Sequence, residues 1–243
     1  MWRDDLRCIF YIALKDLRAY YLKPPNISWG MLFPFALILA FAIRQPGDIR
    51  DLVPGLLGMT VLFATTSMEA IVITFERRIG ALERLMLAPI SLPALLLGKV
   101  LGGMVFGLLT VLAVLVIATV GLGLWGANWL LLILALILSA AAFSSLGAFV
   151  SVVVREVFEA QTLANLFRFP MVFLCGIFVP LAAMPGLLQA VAYALPLTYA
   201  VGAIQQAMGG PGVLGSLFDL LALALFALIF FAMAIRILAR RLG

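Results

Sequence analysis

Few side chains in this sequence could perform acid–base or metal chemistry. The 243 residues include no histidine and only two cysteines. Cys8 lies in a polar N-terminal segment and Cys175 lies inside an apolar run, so the two are not expected to form a disulfide or share a metal ion. Without histidine, histidine-dependent catalytic triads, haem ligation by histidine and most zinc sites are excluded.

Two ionisable residues, Glu69 and Lys99, interrupt long apolar runs. Charged side chains inside a membrane are costly, and by default they suggest a function. Both are expected at similar depth in neighbouring membrane spans, which predicts an intramembrane or interfacial Glu69–Lys99 pair. Such a pair could handle a substrate or gate a pathway, or it could only stabilise the helix bundle, and the sequence leaves both interpretations open.

A third group of charged residues falls in residues 76–88, between two apolar runs. On a helical wheel, one face collects the polar set and its glycine, namely Glu76, Arg77, Gly80, Glu83 and Arg84; another face collects Leu82 and further apolar residues. A glycine within the charged face lets another backbone approach closely. The pattern predicts an amphipathic helix that docks a partner; the alternative is a solvated connector whose cations snorkel.

A second polar connection, residues 155–168, is compatible with a helix. Arg155, Glu156 and Glu159 are predicted to form a lesser contact with the same partner. An exposed loop would explain these residues as well.

The elements that position these residues follow from the composition. The chain is 65% hydrophobic and 11% charged, with a mean hydropathy of +1.22, whereas soluble domains are about 45–50% apolar and about 25% charged. A water-soluble globule and a disordered chain are excluded. At about 20 residues per span, the sequence predicts an all-α integral membrane protein with six transmembrane helices in a single domain, residues 1–243.

The apolar runs give the boundaries of these spans. We expect them at residues 27–43, 52–75, 92–120, 129–154, 169–179 and 214–238. The fifth run is too short alone, so its span is expected to begin a turn or two earlier. The third span has a small-residue face suited to close helix packing, formed by Gly98, Gly102, Gly103 and Gly107.

Two further segments are expected to lie at the membrane without crossing it. Residues 2–23 place aromatic and aliphatic side chains opposite basic ones, which predicts a helix in the membrane interface. Residues 180–212 are apolar but interrupted by Pro180, Pro185 and Pro196, so they are predicted to form two short helices that dip in or lie flat.

The distribution of cations predicts the orientation. With six spans both termini share a side, which collects thirteen lysines and arginines, whereas the other side has only Arg44 and Arg50. By the positive-inside rule both termini are cytoplasmic in a multi-pass protein of the plasma membrane or bacterial inner membrane. The net charge of +5 is assigned to these loops and not to a nucleic-acid partner.

The charged connection carries a recognisable pattern. Glu-Arg-Arg-x-Gly-Ala-Leu-Glu-Arg-Leu-x-x-Ala-Pro-Ile, residues 76–90, resembles the coupling-helix segment of type-2 ABC exporter permeases, with Ala81 where the family usually has Thr. Residues 178–189 and 195–204 look like the two short extracytoplasmic helices that this family places before its last span. Charges that relatives often carry near Gly202 and near Gln205 or Gln206 are missing here. The N-terminal helix and six spans also match, so the resemblance covers essentially the whole chain.

The resemblance implies the transmembrane permease subunit of an ATP-driven ABC exporter, which moves a hydrophobic or amphipathic substrate (a lipid, a lipid-linked glycan or a drug-like molecule) out of the cytoplasm or inner leaflet. Two copies of the chain would pair with two copies of an ABC nucleotide-binding subunit. This sequence has no Gly-x-x-x-x-Gly-Lys-Ser/Thr phosphate loop. ATP and Mg²⁺ are therefore expected on the partner, and this chain is expected to hold no cofactor and not to be an enzyme.

Two other classes of function remain as alternatives. One is a polytopic channel or scaffold without an ATPase, and the other is an intramembrane lipid-modifying enzyme. The lack of histidine and of clustered carboxylates argues against the enzyme. Binding of an ATPase separates the permease from the channel.

Overall fold

The computed structural model describes residues 2–23, 49–88, 90–123, 125–210 and 215–242, with isolated positions 32, 36, 39, 40, 43 and 213. The first predicted span, residues 27–43, falls outside the continuous ranges, and Arg44 is also outside them. Within the described ranges every regular element is helical, so the predicted all-α membrane fold is confirmed.

The α-helices are α1 (Trp2–Asp16), α2 (Val53–Arg78), α3 (Ala81–Met86), α4 (Leu92–Leu122), α5 (Trp129–Val153), α6 (Val157–Leu174), α7 (Gly186–Tyr193), α8 (Pro196–Ala207) and α9 (Ser216–Leu242). A π turn, Leu17–Tyr21, extends α1. Short 3-10 turns precede α2 and α7, at Ile49–Leu52 and Leu181–Ala183.

Local sequence explains where the long helices begin and end. A proline lies in the first turn of α2, α4 and α8, where its missing N–H removes no helical hydrogen bond. The Ser91 hydroxyl accepts from the N–H of Ala94 at 3.4 Å, and the Asn128 side chain accepts from Leu131 at 3.2 Å, which caps α4 and α5. Gly123, with φ of 69°, ends α4 in the left-handed conformation.

Four of the described helices are long and apolar enough to cross a bilayer, at Arg50–Arg78, Leu92–Leu122, Trp129–Val153 and Ser216–Arg241. They match the predicted second, third, fourth and last spans. The pair α7 and α8 passes the same test only together, and it is bent by 82°. The total of six spans therefore stays a prediction.

The fifth predicted span differs from the structure. α6 begins at Val157, about three turns before residue 169, and ends at Leu174 instead of reaching residue 179. The sequence suggested a polar connection up to Arg168, but Arg168 is buried inside α6. Arg168 is therefore not counted among the loop cations. Twelve lysines and arginines remain on the side of the termini and two on the other side, so the predicted orientation is unchanged.

The bundle is built around α2, α4 and α5, with α9 against α5 and α1 against α4. The glycines of α4 allow these close contacts, as predicted. A Cβ atom at Gly98 would lie 3.0 Å from the Cβ of Ile12 in α1, and one at Gly107 would lie 2.2 Å from Cγ2 of Thr65 in α2. Close packing at small residues substitutes in membranes for a hydrophobic driving force between helices.

Candidate functional site

Residues 76–88 do not form the single helix that the sequence predicted. Glu76 and Arg77 belong to the last turn of α2, and α3 starts only at Ala81. Between them Gly80 has φ of 70°, a left-handed conformation that glycine adopts without steric cost. This residue ends α2 and redirects the chain, so the polar residues on its two sides do not share one helical face.

The break determines which predicted docking residues reach the surface. Glu83 and Arg84 are exposed, whereas Leu82 is buried and holds α3 against the bundle. Two apolar side chains next to them are also exposed, Ile79 by 51% and Leu87 by 86%. We call the exposed set Ile79, Glu83, Arg84 and Leu87 the Gly80 surface.

Arg77 is engaged within the chain. Its guanidinium donates to the carbonyl oxygen of Val154, directly after the last residue of α5. Arg241 reaches the same place, donating to the Val153 oxygen at 2.6 Å and to the Val154 oxygen at 3.3 Å. The two cations satisfy carbonyl groups that the end of a helix leaves without partners. Arg77 thus helps to join α2, α5 and α9 at one end of the bundle.

The second polar connection lies beside the first. Arg78 forms an exposed ion pair with Glu156 at 3.2 Å. Glu159 accepts from the backbone N–H groups of Arg155 and Glu156 at 3.0 and 3.2 Å and caps α6. The structure therefore brings together the two segments that the sequence assigned to one partner, and it gives Glu159 a local capping role.

A cluster of four charges includes Glu76, four residues before Gly80; Asp16, Glu76 and Lys99 are fully buried, and Lys15 is partly exposed. The Nζ of Lys99 lies 2.8 Å from Oδ2 of Asp16 and also contacts Oε2 of Glu76. Lys15 completes the cluster, at 3.0 Å from Asp16 and 2.5 Å from Glu76. Two cations balance two anions, so the charges are paired as burial requires. Burial raises the pKa of the Asp16 carboxyl, and the Lys99 ammonium opposes that shift.

The cluster corrects two predictions. Lys99 pairs with Asp16 and Glu76, not with Glu69. Glu76 was predicted to face a partner, but it is fully buried and holds Lys15 and Lys99. Equal depth in two spans did not fix the direction in which each side chain points.

Glu69 instead receives a hydrogen bond from the N-terminal segment. The Tyr21 hydroxyl donates to Oε1 of Glu69 at 2.9 Å, and both residues are fully buried. The π turn makes this possible, because its wider hydrogen bond from Leu22 to Leu17 brings Tyr21 to the side where Asp16 also enters the bundle.

The family model of the ABC-2 type transporter matches residues 8–208. The chain belongs to the ABC-2 type transporter family. This match covers both polar connections, the buried charge cluster and the short helices α7 and α8.

Two curated relatives align with most of the length of this ABC-2 permease. Inner membrane transport permease YadH of Escherichia coli (strain K12) is 24% identical over 223 residues, which are 83% of this chain and 85% of the relative. Nodulation protein J of Sinorhizobium fredii (strain NBRC 101917 / NGR234) is 28% identical over 246 residues, which are 100% of this chain and 92% of the relative. The chain is thus a multi-pass inner membrane protein. It is the permease component of a transporter, and this component is not itself the catalytic one.

The opposite end of the permease holds the short helices predicted in residues 180–212. Gly202 and Gln206 of α8 lack the charges expected there, but Asp219 of α9 reaches both positions. Gln206 donates to Oδ2 of Asp219 at 3.2 Å, and a Cβ atom at Gly202 would lie 2.9 Å from the same oxygen. Asp219 belongs to the first turn of α9 and is fully buried.

Sequence reasoning missed several residues of these sites, namely Lys15, Asp16, Tyr21, Arg168 and Asp219. A signal for Asp16 was present, since it follows Ile12 by one helical turn on the side that packs against α4. Arg168 similarly continues the buried stripe of Ala160 and Ala164 at four-residue spacing. Tyr21 carried no such signal, because its position depends on the π turn.

Proposed function

We propose that this ABC-2 permease is the membrane subunit of an ATP-driven exporter, and that it docks a separate nucleotide-binding subunit through the Gly80 surface. The observation that carries the proposal is the exposure of Leu87 and Ile79 beside Glu83 and Arg84. Apolar anchors within a polar rim are the usual composition of a protein interface. The family membership supports a partner that supplies ATP hydrolysis.

The connections to the bundle give docking a mechanical consequence. α2 ends next to Gly80 and carries Glu76 and Arg77, which contact α1, α4 and α5. A displacement of the Gly80 surface by the partner would therefore act on several helices together. Arg155, exposed beside the Arg78–Glu156 pair, would add a second contact for the same partner.

The complete transporter would contain two copies of this chain and two nucleotide-binding subunits, which hold ATP and Mg²⁺. Both termini and the Gly80 surface would face the cytoplasm, because the cations are concentrated at that end. The substrate would be hydrophobic or amphipathic, since the four charges of the cluster around Lys99 are paired with each other and form no dense charged lining. A lipid, a lipid-linked glycan or a drug-like molecule fits this description, and export is the direction that the family resemblance implies.

The docking surface can be tested by substitution. The permease would be co-expressed with its nucleotide-binding subunit and the complex isolated in detergent through a tag on the permease. Leu87→Asp is expected to lower recovery of the ATPase about tenfold or more, because it places a charge at the apolar anchor. Leu187→Asp is the matched control: Leu187 is 79% exposed, in α7 at the other end of the bundle.

The control is expected to recover the ATPase like the original chain. Normal recovery with Leu87→Asp, or equal loss with both substitutions, would contradict docking at the Gly80 surface. Insertion of both variants is checked by their yield in the membrane fraction.

A further inference from the structure

Arg168 lies inside the membrane bundle, away from the Gly80 surface. It is the twelfth of the eighteen residues of α6, and only 1% of its surface is exposed. Its guanidinium carbon lies 5.2 Å from the ring centroid of Phe63, in the middle of α2. The side chain therefore occupies the seam between α6 and α2.

Among the residues that the structure describes, no opposite charge balances Arg168. In the described part of the chain no carboxylate forms an ion pair with it, and its Nε and Nη2 atoms have no hydrogen-bond partner. The four-charge cluster around Lys99 shows the usual arrangement, in which each buried ion meets an opposite one. Burying a cation without a partner is costly, and such residues in membranes commonly mark a path or a site.

The two free nitrogens form one edge of the guanidinium. Nε and Nη2 point in parallel and can donate to two oxygens of the same phosphate or carboxylate. Phe63 covers the face of the guanidinium by a cation–π contact and leaves this edge to another ligand. This edge therefore suits an anion that holds two oxygens side by side.

The helix is weakened next to this edge. Pro170 lies two residues after Arg168 inside α6, and proline cannot donate to the carbonyl of Leu166. Helices bend at such positions. A bend of α6 at Pro170 would part it from α2 and open the seam to a molecule in the bilayer.

We propose that the Arg168 edge, backed by Phe63, binds the anionic head group of an amphiphile in the seam between α2 and α6. The surroundings favour an amphiphile over a free anion, because the ligand must reach a site enclosed by apolar membrane helices. That this amphiphile is the transported substrate rests on the proposed function. That the Arg168 edge binds it does not depend on the proposed function.

Binding would be measured on the purified full-length chain in an uncharged detergent. Dodecyl phosphate is the probe, a dodecyl ether of tetraethylene glycol is the uncharged amphiphile, and sodium phosphate is the free anion. A ligand that binds only the folded protein raises the thermal unfolding midpoint as its concentration rises. Dodecyl phosphate is expected to raise this midpoint, and the other two compounds are not.

Arg168→Gln should remove the response or raise the half-saturating concentration about tenfold or more, since the bidentate contact is lost. Arg236→Gln removes the same charge at an exposed position of α9 and should respond like the original chain. Arg168→Lys keeps the buried charge without the two-nitrogen edge, so it should bind more weakly than the original chain. It also provides the test if the glutamine variant does not fold.

An unchanged response to dodecyl phosphate in Arg168→Gln would overturn the site. If the glutamine variant does not fold, an unchanged response in Arg168→Lys would overturn it. An equal response to the uncharged amphiphile would also overturn it. A response to sodium phosphate alone that depends on Arg168 would overturn the amphiphile and leave a site for a free anion. Because no ATPase is present in this assay, its failure is distinct from failure of docking at the Gly80 surface.

Discussion

The ammonium of Lys99 lies 2.8 Å from Oδ2 of Asp16, and both side chains are fully buried. Asp16 ends α1 and Lys99 belongs to α4, so this ion pair joins the N-terminal helix to a membrane span. Glu76, on the same ammonium, lies four residues before Gly80. The N-terminal helix, the span and the proposed docking segment therefore share one buried ionic contact.

Breaking this contact from one side should destabilise the permease. Asp16→Asn or Lys99→Met is expected to lower the free energy of unfolding by about 3–5 kcal/mol, because each leaves an uncompensated buried charge. The double variant should lose less than the sum of the two single losses. Equilibrium unfolding in detergent measures all three.

The exposed pair of Arg78 and Glu156 provides the control for the Asp16 and Lys99 variants. Neutralising both with glutamine should change stability little, since solvent screens an exposed pair. Strictly additive losses for Asp16→Asn and Lys99→Met would contradict the buried pairing.

The hydrogen bond from Tyr21 to Glu69 gives a second prediction. Tyr21→Phe removes the donor and leaves a buried carboxyl group without it, at a cost of about 1–3 kcal/mol. Tyr11→Phe is the matched change at an exposed tyrosine of α1 and should have little effect. The same unfolding measurement compares the two variants. Equal stability would contradict a stabilising hydrogen bond from Tyr21, which the π turn positions, to Glu69.

Close packing of α4 gives a third prediction. In Gly103→Ala the new Cβ would lie 2.3 Å from Oε1 of Glu69 and 2.7 Å from Oγ of Ser144, so these buried side chains, or the helices that carry them, must shift. Gly121→Ala adds the same methyl group to the same helix with no atom within 4 Å. We expect a lower unfolding midpoint for the first variant and an unchanged or higher one for the second. The opposite order would mean that α2 and α5 do not pack on Gly103.

Gly80 can be tested for its backbone conformation separately from its small size. Asparagine tolerates the left-handed region better than alanine does, although it is the larger residue. Because Gly80 has φ of 70° and open space around it, Gly80→Asn should retain more ATPase binding than Gly80→Ala. Co-purification measures both, and a greater loss with asparagine would show that close approach of the partner matters more than the turn.

Much of the fold is readable from the sequence because long apolar runs must become helices in lipid. The predicted second, third, fourth and last spans agree with the described helices to within a few residues. α6 was misplaced because Arg168 looks like a loop residue until its burial in the seam is known. A wheel or a hydropathy profile describes one segment at a time, and it contains no information on what lies opposite a side chain.

The candidate site shows the same limit. Glu83 and Arg84 are exposed, as the polar pattern of residues 76–88 indicates, and their docking role stays a prediction. Glu76 was not, because its partners Lys15 and Lys99 lie 61 and 23 residues away in the chain. Gly80 was singled out for close approach, whereas the structure shows that its first role is the left-handed turn.

The most direct test of the central claim is isolation of the tagged full-length permease from its native membrane, with mass spectrometry of the proteins that remain bound. We predict a subunit with a phosphate-binding loop in a one-to-one ratio with this chain, and its loss when Leu87 is replaced by Asp. Recovery of the permease without any such subunit, under conditions that keep the chain folded, would contradict its role as the membrane subunit of an ATP-driven transporter.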